Sequence, residues 1–156
     1  MSDHSHIRLH PERLSQLRML ADARKETIAE TVEGLISKAL QEEPFLDFIP
    51  SLKVMAGDNN VLLSAGSAVY IGLTPQEAYG LAIHVKRIID GENGKGRSLK
   101  ARGFEIVIGR RGRALVLRIA DATGAVSAHS LTYSLAGDLQ RQLTDAAQFL
   151  ADIHVA

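Results

Sequence analysis

Apolar and polar positions follow several rhythms along these 156 residues, and each change of rhythm marks an element. "SHIRLH" (5–10) has a period of two, with Ile7 and Leu9 on one side and His6, Arg8 and His10 on the other, which predicts a short strand. From Pro11 the leucines fall three apart. Leu14, Leu17, Leu20 and Ala21 share one face of a helix over 11–24, and Pro11 suits its first turn because the missing N–H has no partner there anyway. Thr27 and Glu30 then form a capping box at the start of a second helix, 28–42. Its stripe is Ile28, Val32, Leu35, Ile36, Ala39 and Leu40. Pro44 disfavours helix in the residue before it, and the first domain boundary is set there, giving 1–44 and 45–156.

The remainder mixes both periods. "SLKVMA", "NVLLSA" and "AVYIGL" predict short strands separated by turn residues. "TPQEAYGLAIHVKRIID" opens with Thr74 as cap, Pro75 in the first turn and Glu77 completing a capping box, and its apolar face is Ala78, Leu81, Ala82, Val85, Ile88 and Ile89. "GENGKGRS" (91–98) has the composition of a flexible loop. "FEIVIGRRGRALVLRIA" predicts two strands around a tight turn, "VSAHSLTY" a third, and residues 136–153 a final helix facing inward through Leu139, Leu143, Ala146, Ala147, Leu150 and Ile153. The expected class is α+β: an N-terminal strand–helix–helix, then a small antiparallel-sheet domain with two helices.

A strand and two helices in about 40 residues cannot cover their own apolar faces, and a second copy of the chain supplies the missing partner. Two "SHIRLH" strands paired as a ribbon would fit the major groove with their polar face outward. At this point "HIRLHPERLSQLRMLADARKETIAETVEGLISKAL", about a quarter of the chain, resembles the ribbon-helix-helix (Arc/MetJ-like) DNA-binding family. The marks are the short "IRL", the "PERL" helix start, the "LRMLADA" run and a Thr opening "TIAETVEGLI". The resemblance implies a β-α-α intertwined dimer in which His4, His6 and Arg8 read bases. It also implies that the N–H groups of Thr27, Ile28 and Ala29 hold a phosphate. The family's turn between helices usually carries a glycine, and Lys25 or Glu26 stands there instead, which implies left-handed backbone on a residue with a side chain.

Charge modifies the picture. The formal net charge is zero, but it is unevenly spread. Residues 1–45 hold six Lys/Arg against eight Asp/Glu, whereas residues 86–118 hold ten Lys/Arg against three acids. "GRRGR" (109–113) and "GKGRSLKAR" (94–102) carry Lys95, Arg97, Arg110, Arg111 and Arg113, a second surface suited to an anion or nucleic acid. Its strands followed by a helix are faintly similar to sheet-plus-helix single-strand-binding modules.

There is no cysteine, so disulfides and thiolate metal sites are excluded. His84, His129 and His154 lack tight ligand spacing, the His4–His6 pair stands at the chain's start, and no metal or other cofactor is expected. Ser127, His129 and Asp121 are the residue types of a hydrolase triad without its sequence context, so no enzymatic activity is expected. No apolar run reaches the length of a membrane span and "MSDHSHIRLH" has no signal-like apolar core, so a cytoplasmic location is expected. Together these features predict a homodimeric or larger sequence-specific DNA-binding regulator of the repressor type, whose second domain senses a small molecule or binds a protein. The alternatives are an accessory DNA-binding protein of plasmid transfer or partition, and a dimeric interaction module that binds no DNA.

Overall fold

The computed structural model describes residues 6–43, 49, 51–66, 70–92 and 96–155. These separate into two compact units, Met1–Glu42 and Glu43–Ala156.

The first unit is a helix pair, α1 (Pro11–Arg24) and α2 (Ile28–Glu42). His10 caps α1 by accepting from the Glu12 N–H through Nδ1 at 3.4 Å. The helix ends at Lys25, whose backbone is left-handed at φ 57° and ψ 39°. There the N–H of Glu26 reaches back to the Ala21 carbonyl at 3.0 Å and that of Lys25 to the Asp22 carbonyl at 3.2 Å, satisfying carbonyls the helix end leaves open. The expected ribbon-helix-helix arrangement is not what the chain forms. Element order begins with α1 and α2, and residues 6–10 form no strand. Ile7 is 86% exposed and Leu9 48%. The physical reason is that alternation alone does not make a strand. Its N–H and C=O groups need a neighbouring strand, and among the described residues every strand lies in the second unit.

That unit holds two antiparallel sheets where a single one was expected. The first is a meander of β1 (Lys53–Ala56), β2 (Val61–Ser64) and β3 (Tyr70–Leu73). The second runs in sequence order through β4 (Arg97–Ala101), β5 (Phe104–Arg111), β6 (Ala114–Ala120) and β7 (Val126–Leu131). Strand β4 overlaps the stretch expected to be loop. α3 (Pro75–Ile89) joins the sheets and α4 (Tyr133–Val155) closes the chain. The Thr74–Glu77 capping box is present in both directions, at 2.8 and 3.2 Å. α4 begins three residues earlier than its apolar pattern suggests. Thr132 starts it, accepting from Leu135 N–H at its hydroxyl and from Ala136 N–H at its carbonyl.

The two helices pack on each other, and one continuous core gathers Leu52, Leu63, Leu73, Leu81, Ile106, Leu117, Leu139 and Leu143 from both sheets and both helices. Full burial of each such side chain contributes about 1.5–3 kcal/mol. The first unit has no comparable store: among its described residues just Ala21 and Thr31 are buried. Among the described residues, no helix is long and apolar enough to cross a membrane.

Candidate nucleic-acid interface

In the first unit, His6 and Arg8 are exposed in the segment leading into α1, and His4 lies outside the described residues. Thr27, Ile28 and Ala29 stand at the start of α2, exposed, where unpaired backbone N–H groups make an anion site. An acid already occupies part of it. Glu30 Oε2 accepts from the Thr27 N–H at 2.7 Å and from the Thr27 hydroxyl at 2.8 Å, and the Thr27 hydroxyl accepts from Glu30 N–H at 3.2 Å. A phosphate at this helix start meets that carboxylate and is left with the N–H groups of Ile28 and Ala29.

The α2 stripe predicted from its spacing is present but uncovered. Leu35 is 38% exposed and Ile36 53%, and Leu9, Leu17, Leu20 and Leu35 line an open apolar groove together with Arg13 and Gln16.

In the second unit, pairing in the four-stranded sheet brings the basic segments to one end. Arg97 pairs with Ile108, and the backbone of Gly96 lies against Ile108 and Gly109, so the chain entering β4 runs beside the end of β5. The β5–β6 hairpin carries Arg110, Arg111 and Arg113 around Gly112, whose φ of +62° makes the turn. Arg110 is held in place: its Nε donates to the Gly112 carbonyl at 2.9 Å, and its guanidinium carbon lies 5.9 Å from the centre of the Tyr133 ring. Arg97, Arg111 and Arg113 are exposed, and among the described residues no carboxylate pairs with them. Lys95 lies outside the described residues.

The register also shows what sequence reasoning missed. Residues that face away from the core on this sheet are Ser98 and Lys100 on β4, Glu105, Val107, Gly109 and Arg111 on β5, Ala114, Val116, Arg118 and Ala120 on β6, and Val126, Ala128 and Ser130 on β7. Lys100 and Arg118 therefore share a face with Arg111, a relation visible in the sequence only once the strand pairing is known.

His84 on α3 is held below the ordinary imidazole value, first by burial and then by the charges of Arg97 and Arg87. Its Nδ1 is buried without a hydrogen-bond partner among the described residues. Ser127, His129 and Asp121 do not assemble into a catalytic set. Asp121 lies four residues along β6 from Leu117, the residue paired with His129, a run of about 13 Å. Its carboxylate is engaged by the hydroxyl and N–H of Thr123 and the N–H of Ala125 at 2.6, 2.8 and 3.0 Å, which holds it below the usual carboxylate range. Among the described residues no group of three His, Asp or Glu stands close enough to hold a metal ion.

No protein-family model matches the chain, and no curated protein does. Among solved structures it is similar to a protein of unknown function from the DUF155 family of Prochlorococcus sp. NATL2A. The two are 14% identical, the match covers 67% of this chain and 96% of that one, and the TM-score is 0.36.

Proposed function

We propose that the chain is a homodimeric, sequence-specific DNA-binding regulator of the cytoplasm. The observation that carries this proposal is the uncovered apolar stripe of a helix pair with almost nothing buried of its own. Leu9, Leu35 and Ile36 face water in a unit of about 40 residues, a size at which association is the usual source of a core. A second copy of the same unit covers the stripe symmetrically, each stripe packing on its twin. The likeness of "PERLSQLRMLADARKETIAETVEGLI" to the helix pair of the ribbon-helix-helix family supports DNA as the partner of that dimer. His6 and Arg8, exposed ahead of α1, are the groups assigned to the bases, and the Ile28 and Ala29 N–H groups those assigned to a phosphate.

The test is selection of bound fragments from a random double-stranded library, with the wild-type protein beside a His6→Ala/Arg8→Ala variant. A roughly palindromic motif that disappears in the variant is the expected result. Binding without any motif, equal in both proteins, removes sequence reading from the first unit.

A further inference from the structure

We infer that the hairpin end of the four-stranded sheet is a second, sequence-independent contact for the phosphate backbone of duplex DNA. This site is separate from the base-reading residues assigned above and does not depend on them.

Three observations carry it. Arg97, Arg111 and Arg113 lie at one end of a single sheet, Arg97 on the side of Ile108 and Arg111 on the outward face, all exposed and with no carboxylate partner among the described residues. The acids that precede β4 in the chain are already paired, Asp90 with Lys86 at 2.7 Å and Glu92 with Arg87 at 3.6 Å, and the first turn of α4 holds no acidic residue. Such an uncompensated cluster raises the free energy of the isolated molecule, and a polyanion relieves it. Finally, Arg110 is pre-positioned by the Gly112 carbonyl and the Tyr133 ring, so part of the ordering cost of a guanidinium–phosphate contact is met before binding.

The adjoining sheet face decides what kind of nucleic acid fits. Single strands are held by bases stacked on aromatic side chains, and this face offers none: Ser98, Val107, Gly109, Val116, Ala128 and Ser130 are small or aliphatic. Arg118 extends the positive charge along the same face, while Lys100 stands directly across from Glu105. A nearly smooth, cationic surface suits a backbone whose bases stay stacked inside. Its contribution is therefore charge neutralisation, which releases counterions and carries a steep salt dependence.

The experiment measures binding of the full chain to a labelled random-sequence duplex of about 30 base pairs by fluorescence anisotropy between 50 and 200 mM salt. All proteins carry Arg8→Ala, so that loss of base reading in the first unit cannot imitate the result. With four phosphates neutralised at the hairpin end, affinity falls about 150-fold over that range, and in Arg111→Gln/Arg113→Gln, with two, about 12-fold. Arg111→Lys/Arg113→Lys keeps the steep slope because charge, not fork geometry, sets it. Far-UV circular dichroism verifies that each variant is folded, as expected for exposed positions. Equal salt slopes in the Gln and wild-type hairpins overturn the inference, as does a single strand of the same length binding as tightly as the duplex. Polyglutamate competing as well as DNA also overturns it, because the surface is then a general polyanion or protein-docking patch.

Discussion

A carboxylate oxygen of Glu30 lies 2.7 Å from the backbone nitrogen of Thr27, at the helix start where a phosphate is expected to bind. One side chain thus stabilises α2 and opposes the ligand assigned to the same place. Glu30→Gln separates the two effects, because a glutamine oxygen still completes the capping box while the negative charge is gone. The variant is expected to bind duplex DNA about threefold to fivefold more tightly at moderate salt, the size of one exposed charge a few ångströms from a phosphate. Its helix should lose no more than about 1 kcal/mol. Anisotropy titration and urea unfolding measure the two quantities, and unchanged DNA affinity would separate this helix start from the DNA contact.

Lys25 occupies left-handed backbone at φ 57°, where glycine carries no Cβ penalty. The bonds of its own N–H to the Asp22 carbonyl and of the Glu26 N–H to the Ala21 carbonyl keep it there. Lys25→Gly is expected to stabilise the helix pair by about 0.5–1 kcal/mol, and Lys25→Val to destabilise it by at least as much. The readout is the urea midpoint of the full chain followed by a probe on α1. A fall in stability with glycine would mean that the lysine side chain contributes more than its backbone costs.

The turn at Lys25 shows what kind of information the sequence holds. Helix ends are local events, so Pro11, Thr27–Glu30 and Thr74–Glu77 could be read from spacing alone, and the core faces of α3 and α4 followed from their 3.6-residue rhythm except at Ile153, which lies past the end of the core and is 51% exposed. Strand partnership is not local. "SHIRLH" alternates as a strand does, yet Ile7 stays 86% exposed, because among the described residues no second strand comes to it. β4 was hidden for a related reason: just Leu99 and Ala101 of its five residues turn toward the core, and its glycine-rich lead-in has the composition of a loop. The division of the seven described strands into two sheets likewise depends on which edges meet. So the basic residues of the candidate surface were legible one by one, and their placement at one end of one sheet became visible only through the Arg97–Ile108 register.

Ile36 is 53% exposed on a helix pair with almost no interior, so its environment in the monomer is mostly water. Ile36→Asp should therefore change the folding of an isolated chain by less than about 0.5 kcal/mol, the usual range for exposed substitutions. If the α2 stripe joins two copies, the same change buries a charge on each side of a symmetric interface and raises the dimer dissociation constant at least about 100-fold. Sedimentation equilibrium distinguishes these outcomes. An Ile36→Asp protein that dimerises like the wild type would place the interface elsewhere and leave the stripe without the role assigned to it.

His84 links stability, pH and ligand on the basic side of the second unit. Burial, Arg97 and Arg87 together hold its imidazole below the ordinary value of 6.5. The sign follows from linkage. As pH drops below that value the unfolded chain takes up a proton that the folded chain still refuses, so stability is fully present above it and declines with acidification until the folded-state value is passed. The urea midpoint of the wild type is expected to fall through this window, and His84→Gln should flatten that part of the profile. Arg97→Gln removes the second-largest cause and moves the imidazole back toward 6.5, while duplex DNA at the hairpin end, by neutralising Arg97, moves it the same way. Proton NMR of the His84 ring measures all of these shifts on one resonance. A ring that titrates at its ordinary value in the free protein would show that Arg97 does not face His84. A lowered value untouched by DNA would show that the bound phosphates do not reach Arg97.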